Sequence, residues 1–187
     1  MPTRKKATPG PAPGAPHQDG KWAEWFVRAP GEQRYWLVKS EPSVFSFDDL
    51  MRAKGKTTGW DGIRNSAARN FLRDGMKRGD LAFFYHSMAD PQVIAGICEV
   101  VREGYPDPTA FDRAHDQYDE QSSAESPTWY QVDLRAVAPL ARAVTLGEIK
   151  ARPELASMAL VRIGRLSVTP VRATEWATIV EMGSAAR

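Results

Sequence analysis

The chain of 187 residues has a single cysteine, Cys98. One thiol forms no internal disulfide and cannot supply a cysteine-based metal site. This scarcity fits a reducing compartment, so a cytoplasmic protein is expected. No apolar run is long enough to cross a bilayer, and no apolar segment follows the basic N-terminus, so neither a membrane partner nor a secretory leader is expected. The three histidines, His17, His86 and His115, are scattered outside any HExxH or cysteine–histidine pattern, which argues against a metal. GxxxxGK[ST], GxSxG and GxGxxG are also missing. Their absence removes the usual marks of a triphosphatase, a nucleophile elbow and a dinucleotide fold, and no cofactor is expected. Net positive charge is small as well. The formal net charge is +2, and Arg4, Lys5 and Lys6 stand near the start without an acid beside them. From Tyr35 onward the chain is close to neutral, which disfavours a broad DNA-coating surface and leaves room for a local basic groove.

Residues 1–34 read as a disordered basic arm and linker, the first part rich in proline, glycine and alanine. Trp22, Trp25 and Phe26 either pack back onto the domain or form a short sticky helix. Residues 35–182 carry the foldable pattern, and 183–187 form a tail. Arg34–Lys39 reads as a strand ended by Pro42, because the residue before a proline is pushed away from helical dihedrals. Ser46 and Asp49 form a capping box for a short helix. A second helix is expected from Asn65 or Ser66. Ala67, Phe71 and Leu72 fall on its buried side, with Ala68, Arg69, Arg73 and Asp74 on its wetter side. LAFFYHS and QVIAGICEVVRE are strands, Gly96 marking a bend or bulge. A long polar excursion follows over residues 104–128. In WYQVDLR, Tyr130, Val132 and Leu134 alternate with Gln131, Asp133 and Arg135, as in a half-buried strand. Thr145 with Glu148 is another capping box, Pro153 opens a further helix, a short strand stops at Pro170, and a helix closes the chain. The order predicts an α+β fold, a small mixed β-barrel of about five to six strands with helices around it.

The words YWLVKSEP, GWDGIRN, ARNFLRD, GDLAFFYHS, GICEVVREGYPDPTAFD, WYQVDLR and LSVTPV follow one another in this order. In them the chain resembles the EVE domain family of the PUA-like superfamily, from Tyr35 to about Met182. The resemblance implies a PUA-like barrel and a pocket for one nucleobase. It also implies a non-enzymatic reader, with DNA carrying a modified cytosine such as 5-methylcytosine as the leading partner, and RNA as the alternative. Ser66 and Ala67 depart from it, standing where some members have a bulkier aromatic or polar residue.

A reader of a flipped base must stack on its faces, hydrogen-bond its edge and clamp the neighbouring phosphates. Two segments offer those groups: Trp36, Lys39, Ser40 and Glu41, and then Trp60, Asp61, Arg64 and Asn65. Trp36 is either a strand's core aromatic or a pocket wall. Trp60, set between Gly59 and Gly62, is expected to stack. Ser40 meets a base edge or caps a turn, and Lys39 is solvated or meets phosphate. Glu41 accepts from a cytosine amine or pairs with Arg64. Asp61 accepts from the same amine or bonds local amides. Asn65 contacts the base or caps the helix. Tyr85 and His86 finish the pocket from a strand end. Carried over from the resemblance, the base-pocket set is Trp36, Lys39, Ser40, Trp60, Asp61, Asn65, Tyr85 and His86. Arg64, Arg69 and Arg73 are the expected phosphate contacts. Cys98, inside an apolar run, is a small buried hydrophobe. A catalytic role would have to be seeded by His86, and no catalytic residue is assigned.

Overall fold

Strand β1, Tyr35–Ser40, pairs on both sides, parallel to one neighbour and antiparallel to the other. The computed structural model describes residues 20–184. The basic cluster Arg4–Lys6, His17 and residues 185–187 lie outside the described residues. The remaining strands are β2 (Thr57–Gly59), β3 (Leu81–His86), β4 (Val93–Pro106), β5 (Tyr130–Thr145) and β6 (Val168–Val171). They form one mixed sheet in the order β2-β5-β4-β3-β1-β6, parallel only between β1 and β3. The sheet is not closed by hydrogen bonds, and β2 and β6 are its edges. Pro170 does not stop β6 but lies inside it, opposite Trp36. An edge strand tolerates the missing donor. β2 has no apolar pattern of its own and exists through its pairing with β5, Thr58 opposite Leu134.

Each sheet face carries its own core. Alternation sends Trp36, Val38, Ala82, Phe84, Cys98, Val132 and Leu134 to one face, and Leu37, Phe83, Tyr85 and Ile94 to the other. The first face is covered by α1 (Phe47–Arg52) and α2 (Ser66–Asn70). The second is covered by α3 (Leu146–Lys150), α4 (Ala159–Arg162) and α5 (Ala173–Ser184). Both capping boxes form: Ser46 Oγ accepts from the Asp49 N–H, and Thr145 Oγ1 from the Glu148 N–H, each at 3.1 Å. Gly96 lets α1 dock, since a Cβ there would stand 2.3 Å from the Phe47 ring. The sheet register also shifts at this glycine.

Three local expectations change. α2 runs on into a wider π turn at Phe71–Gly75, where the Met76 N–H reaches the Phe71 carbonyl at 2.8 Å. Ala68, expected on the wet side of the helix, is fully buried. The helix opened by Pro153 breaks into a single turn at Pro153–Leu155 and the short α4.

Within the segment up to Arg34, Trp22, Trp25 and Phe26 take the first of their two expected courses and pack back onto the domain. Trp22 and Phe26 contact the Phe71 ring at 5.5 and 5.6 Å, and Trp25 contacts Trp36 at 5.7 Å. Arg28 grips the buried Asp80 carboxylate with two bonds of 2.8 Å. Asp80 also accepts from the Arg34 N–H, the Lys77 N–H and the Trp36 indole. Gly183 and Ser184, expected in the tail, finish α5.

Candidate nucleic-acid interface

Because β1 and β3 are parallel, their C-terminal ends arrive together. Ser40 lies opposite His86, and the Ser87 N–H donates to the Ser40 carbonyl at 2.9 Å. The chain then turns at Pro42. The Val44 and Phe45 N–H groups both donate to the Glu41 carbonyl at 2.9 Å, and Ser40 Oγ donates to the Phe45 carbonyl at 2.6 Å. The Phe47 N–H, at the start of α1, donates to His86 Nε2 at 3.0 Å. A ring nitrogen that accepts must be unprotonated, so His86 is neutral with its proton on Nδ1. Burial lowers its pKa, opposed by the nearby Asp48 carboxylate.

Phe84 gathers this end of the molecule. Its ring is 5.4 Å from Trp60, 5.5 Å from Phe47, 5.6 Å from His86 and 6.4 Å from Phe45. Trp60 is 7 % exposed, and its N–H donates to the Val132 carbonyl at 2.7 Å. Gly59 is required by a close approach. A Cβ there would stand 2.7 Å from Oε1 of the buried Gln131. Asp61 is exposed, and its carboxylate accepts no hydrogen bond among the described residues. Partial burial first, and then the charge of Asp107, raise its pKa.

The loop is organised by Asp107. It accepts from the Gly62 N–H at 3.0 Å, from the Thr109 N–H and hydroxyl at 2.9 and 2.7 Å, and from Arg64 at 2.8 Å. Burial pushes its carboxyl up, but these bonds outweigh it and hold the pKa below the ordinary value. Nearby, the Tyr105 hydroxyl donates to Asp133 at 2.6 Å. Burial first, and then the Asp133 bond, push this phenol up to about 12.

Ser40, Trp60 and His86 therefore converge, with Asp61 and Asn65 on the adjoining loop. Asn65 Oδ1 is used as the cap of α2, accepting from the Ala67 and Ala68 N–H groups at 3.0 and 3.1 Å. Trp36 does not join them. It is fully buried, with its indole on Asp80 at 2.9 Å. Lys39 and Tyr85 are neighbours in register but face the other side of the sheet. Lys39 Nζ donates to the Gly164 carbonyl at 2.8 Å, and the Tyr85 hydroxyl donates to Gln92 at 2.9 Å. Burial raises the Tyr85 phenol to about 12.

The three expected phosphate contacts are engaged elsewhere. Arg64 binds Asp107, the Gln117 and Ile63 carbonyls and Thr109, so Glu41 is not its partner. Arg69 bonds Asn70 at 3.0 Å and lies over Trp129. Arg73 forms a buried pair with Asp74 at 2.6 Å. Sequence reasoning missed Asp107, Tyr105 and Gln131. Asp107-Pro108-Thr109 carried a readable signal, an acidic cap before a proline at the first turn position. Gln131 carried none, since strand alternation assigned it to the wet face.

Among the described residues no group of three or more histidine, cysteine or acidic residues could hold a metal ion, and no helix is long and apolar enough to cross a membrane. Cys98 is buried, which pushes its thiol up to about 12.

Comparison with known proteins gives a consistent picture. The EVE domain family model matches residues 34–182. Thymocyte nuclear protein 1 of Homo sapiens is 38% identical over 165 residues, covering 79% of this chain and 73% of that protein. A structure of a hypothetical protein from Leishmania major is 46% identical with a TM-score of 0.77, over 81% of this chain and 95% of that one. The human THYN1 protein in complex with 5-methylcytosine-containing DNA superposes with a TM-score of 0.79 at 37% identity. That match covers 83% of this chain and all of the other.

Proposed function

The chain belongs to the EVE domain family, and on that premise we propose that it is a non-enzymatic reader of modified cytosine in DNA. The observation that carries this reading is the Asp61 carboxylate, which accepts no hydrogen bond among the described residues and directly follows Trp60 in the loop adjoining the end where Ser40 and His86 meet. A cytosine presents an exocyclic amine as donor and a flat ring as apolar surface. Asp61 is the acceptor for the amine, and the small exposed edge of the otherwise buried Trp60 borders the ring. Val44 and Met88, each 77 % exposed, lie in the turns after β1 and β3 at this end of the sheet. A base reaches this site only by leaving the stack, so the proposed mode is base flipping. The relative solved with 5-methylcytosine-containing DNA supports the substrate class.

The side chains that catalysis would need are committed to other tasks, which favours binding alone. Ser40 Oγ donates to a carbonyl, His86 Nε2 accepts from a main-chain amide, and the Cys98 thiol is buried and protonated.

The test is equilibrium binding to one DNA sequence carrying cytosine, 5-methylcytosine or 5-hydroxymethylcytosine, at two salt concentrations, with matched RNA alongside. A modified-base preference that survives added salt is expected. Asp61→Asn should then weaken binding of the preferred DNA by about 1–3 kcal/mol, the worth of one good base-edge contact. Equal binding to all three DNAs that collapses with salt, or tighter binding to the RNA, would overturn the assignment.

A further inference from the structure

With Arg64, Arg69 and Arg73 engaged in the fold, a nucleic-acid strand must find its cations elsewhere. A cleft of about 560 Å³ lies between the N-terminal segment and the region around α4, lined by Lys21, Trp22, Arg162, Ile163 and Arg172 among others. Lys21 and Arg162 are exposed and form no ion pair among the described residues, and the same is true of Arg165 beyond α4. Lys21 Nζ rests 4.9 Å above the Trp22 ring. The charge of Arg172 is shared with Glu24 at 3.5 Å, so it adds little.

Two contacts tie this cleft to the base-reading end. The loop carrying Arg165 is pinned to β1, since the Gly164 carbonyl accepts from Lys39 Nζ at 2.8 Å and the Ser167 carbonyl accepts from the Lys39 N–H at 2.9 Å. The next residue along β1 is Ser40. On the other wall, Trp22 packs edge-on against Phe71, and a smaller cleft lined by Lys21, Trp22, Ala67 and Asn70 continues along α2, which Asn65 caps.

We propose that Lys21, Arg162 and Arg165 form a strip that contacts the phosphodiester backbone beside the base held at Trp60. The proposal rests on the reading given above and adds its backbone surface. Lys21 and Trp22 precede the region matched by the family model, so part of this strip is built from the chain's own N-terminal segment.

Counterion release makes the strip measurable. Each phosphate contact contributes about 0.9 to the slope of log K against log salt on duplex DNA. Lys21→Ala, Arg162→Ala and Arg165→Ala combined should therefore lower the slope by about 2.7. Between 50 and 200 mM salt the triple variant then loses about 40-fold less affinity than the wild type. The ratio of modified to unmodified binding should stay unchanged. Lys150→Ala, an exposed cation on α3, should leave the slope unaltered. An unchanged slope in the triple variant, with base preference intact, would overturn the strip and leave the base reading standing. A slope drop in Lys150→Ala as large as in each strip variant would also overturn it, by showing a diffuse charge effect. A reduced slope in a protein without base preference at any salt would support the strip and remove the base reading.

Discussion

Replacing Arg64 by alanine separates two physical roles that its position in the sequence leaves open. As a phosphate contact, Arg64 would be solvated, and its loss would lower the salt slope of DNA binding by about 0.9 with little effect on folding. The structure makes it a staple between the Trp60 loop and the excursion after β4. Asp107 has no exposed side-chain surface, and the Arg64 side chain is 21% exposed. Removing the guanidinium leaves a buried carboxylate with only Gly62 and Thr109 as donors, and strips the Gln117 carbonyl of its partner. Breaking such a buried pair costs about 3–5 kcal/mol. For a domain of this size that corresponds to a fall of roughly 6–20 °C in melting temperature. The sign with pH follows. The folded pKa of Asp107 is depressed, so its stabilisation is present above the ordinary carboxylate pKa of about 3.9 and is lost as pH falls through the lower folded value. Thermal melts followed by tryptophan fluorescence, paired with binding at several salt concentrations, make the comparison. A variant that melts like the wild type while its salt slope drops by about one would refute the staple.

Two further outcomes are expected. Asp80→Asn removes the charge that gathers Arg28, Arg34, Lys77 and Trp36, and should destabilise the fold by on the order of 3 kcal/mol. Limited proteolysis should then cut within residues 20–34 first, and unchanged protection there would show that the aromatic contacts suffice. An NMR titration of His86 should give a midpoint below about 6.5, because burial depresses it and Nε2 is occupied by the Phe47 N–H. Its stabilising effect is present above that pH and is lost as pH falls through the folded value. A midpoint at or above 6.5 would contradict the neutral acceptor.

Local periodicity and turn chemistry were enough to place most of the fold. β1, β3, β4 and β5 follow from β-prone runs between turn residues, and both capping boxes form where Ser46, Asp49, Thr145 and Glu148 announce them. The convergence of Ser40 with Trp60, and the adjoining place of Asp61, were also legible, because KSEP and GWDGIRN concentrate polar and aromatic groups at chain reversals. Strand pairing could not be read in the same way. Whether Lys39 and Tyr85 share the face of Ser40 and His86 depends on which residues pair and how the sheet is covered, and the structure turns them to the opposite core. Burial of charge was equally hidden. An arginine in a helical pattern looks the same whether it meets water or a carboxylate brought from forty residues away, and only the tertiary fold supplied Asp107 to Arg64. The sequence thus determined which elements exist and which groups gather at their ends. Tertiary structure decided which of those groups remain available to a ligand, because availability depends on partners that are distant along the chain.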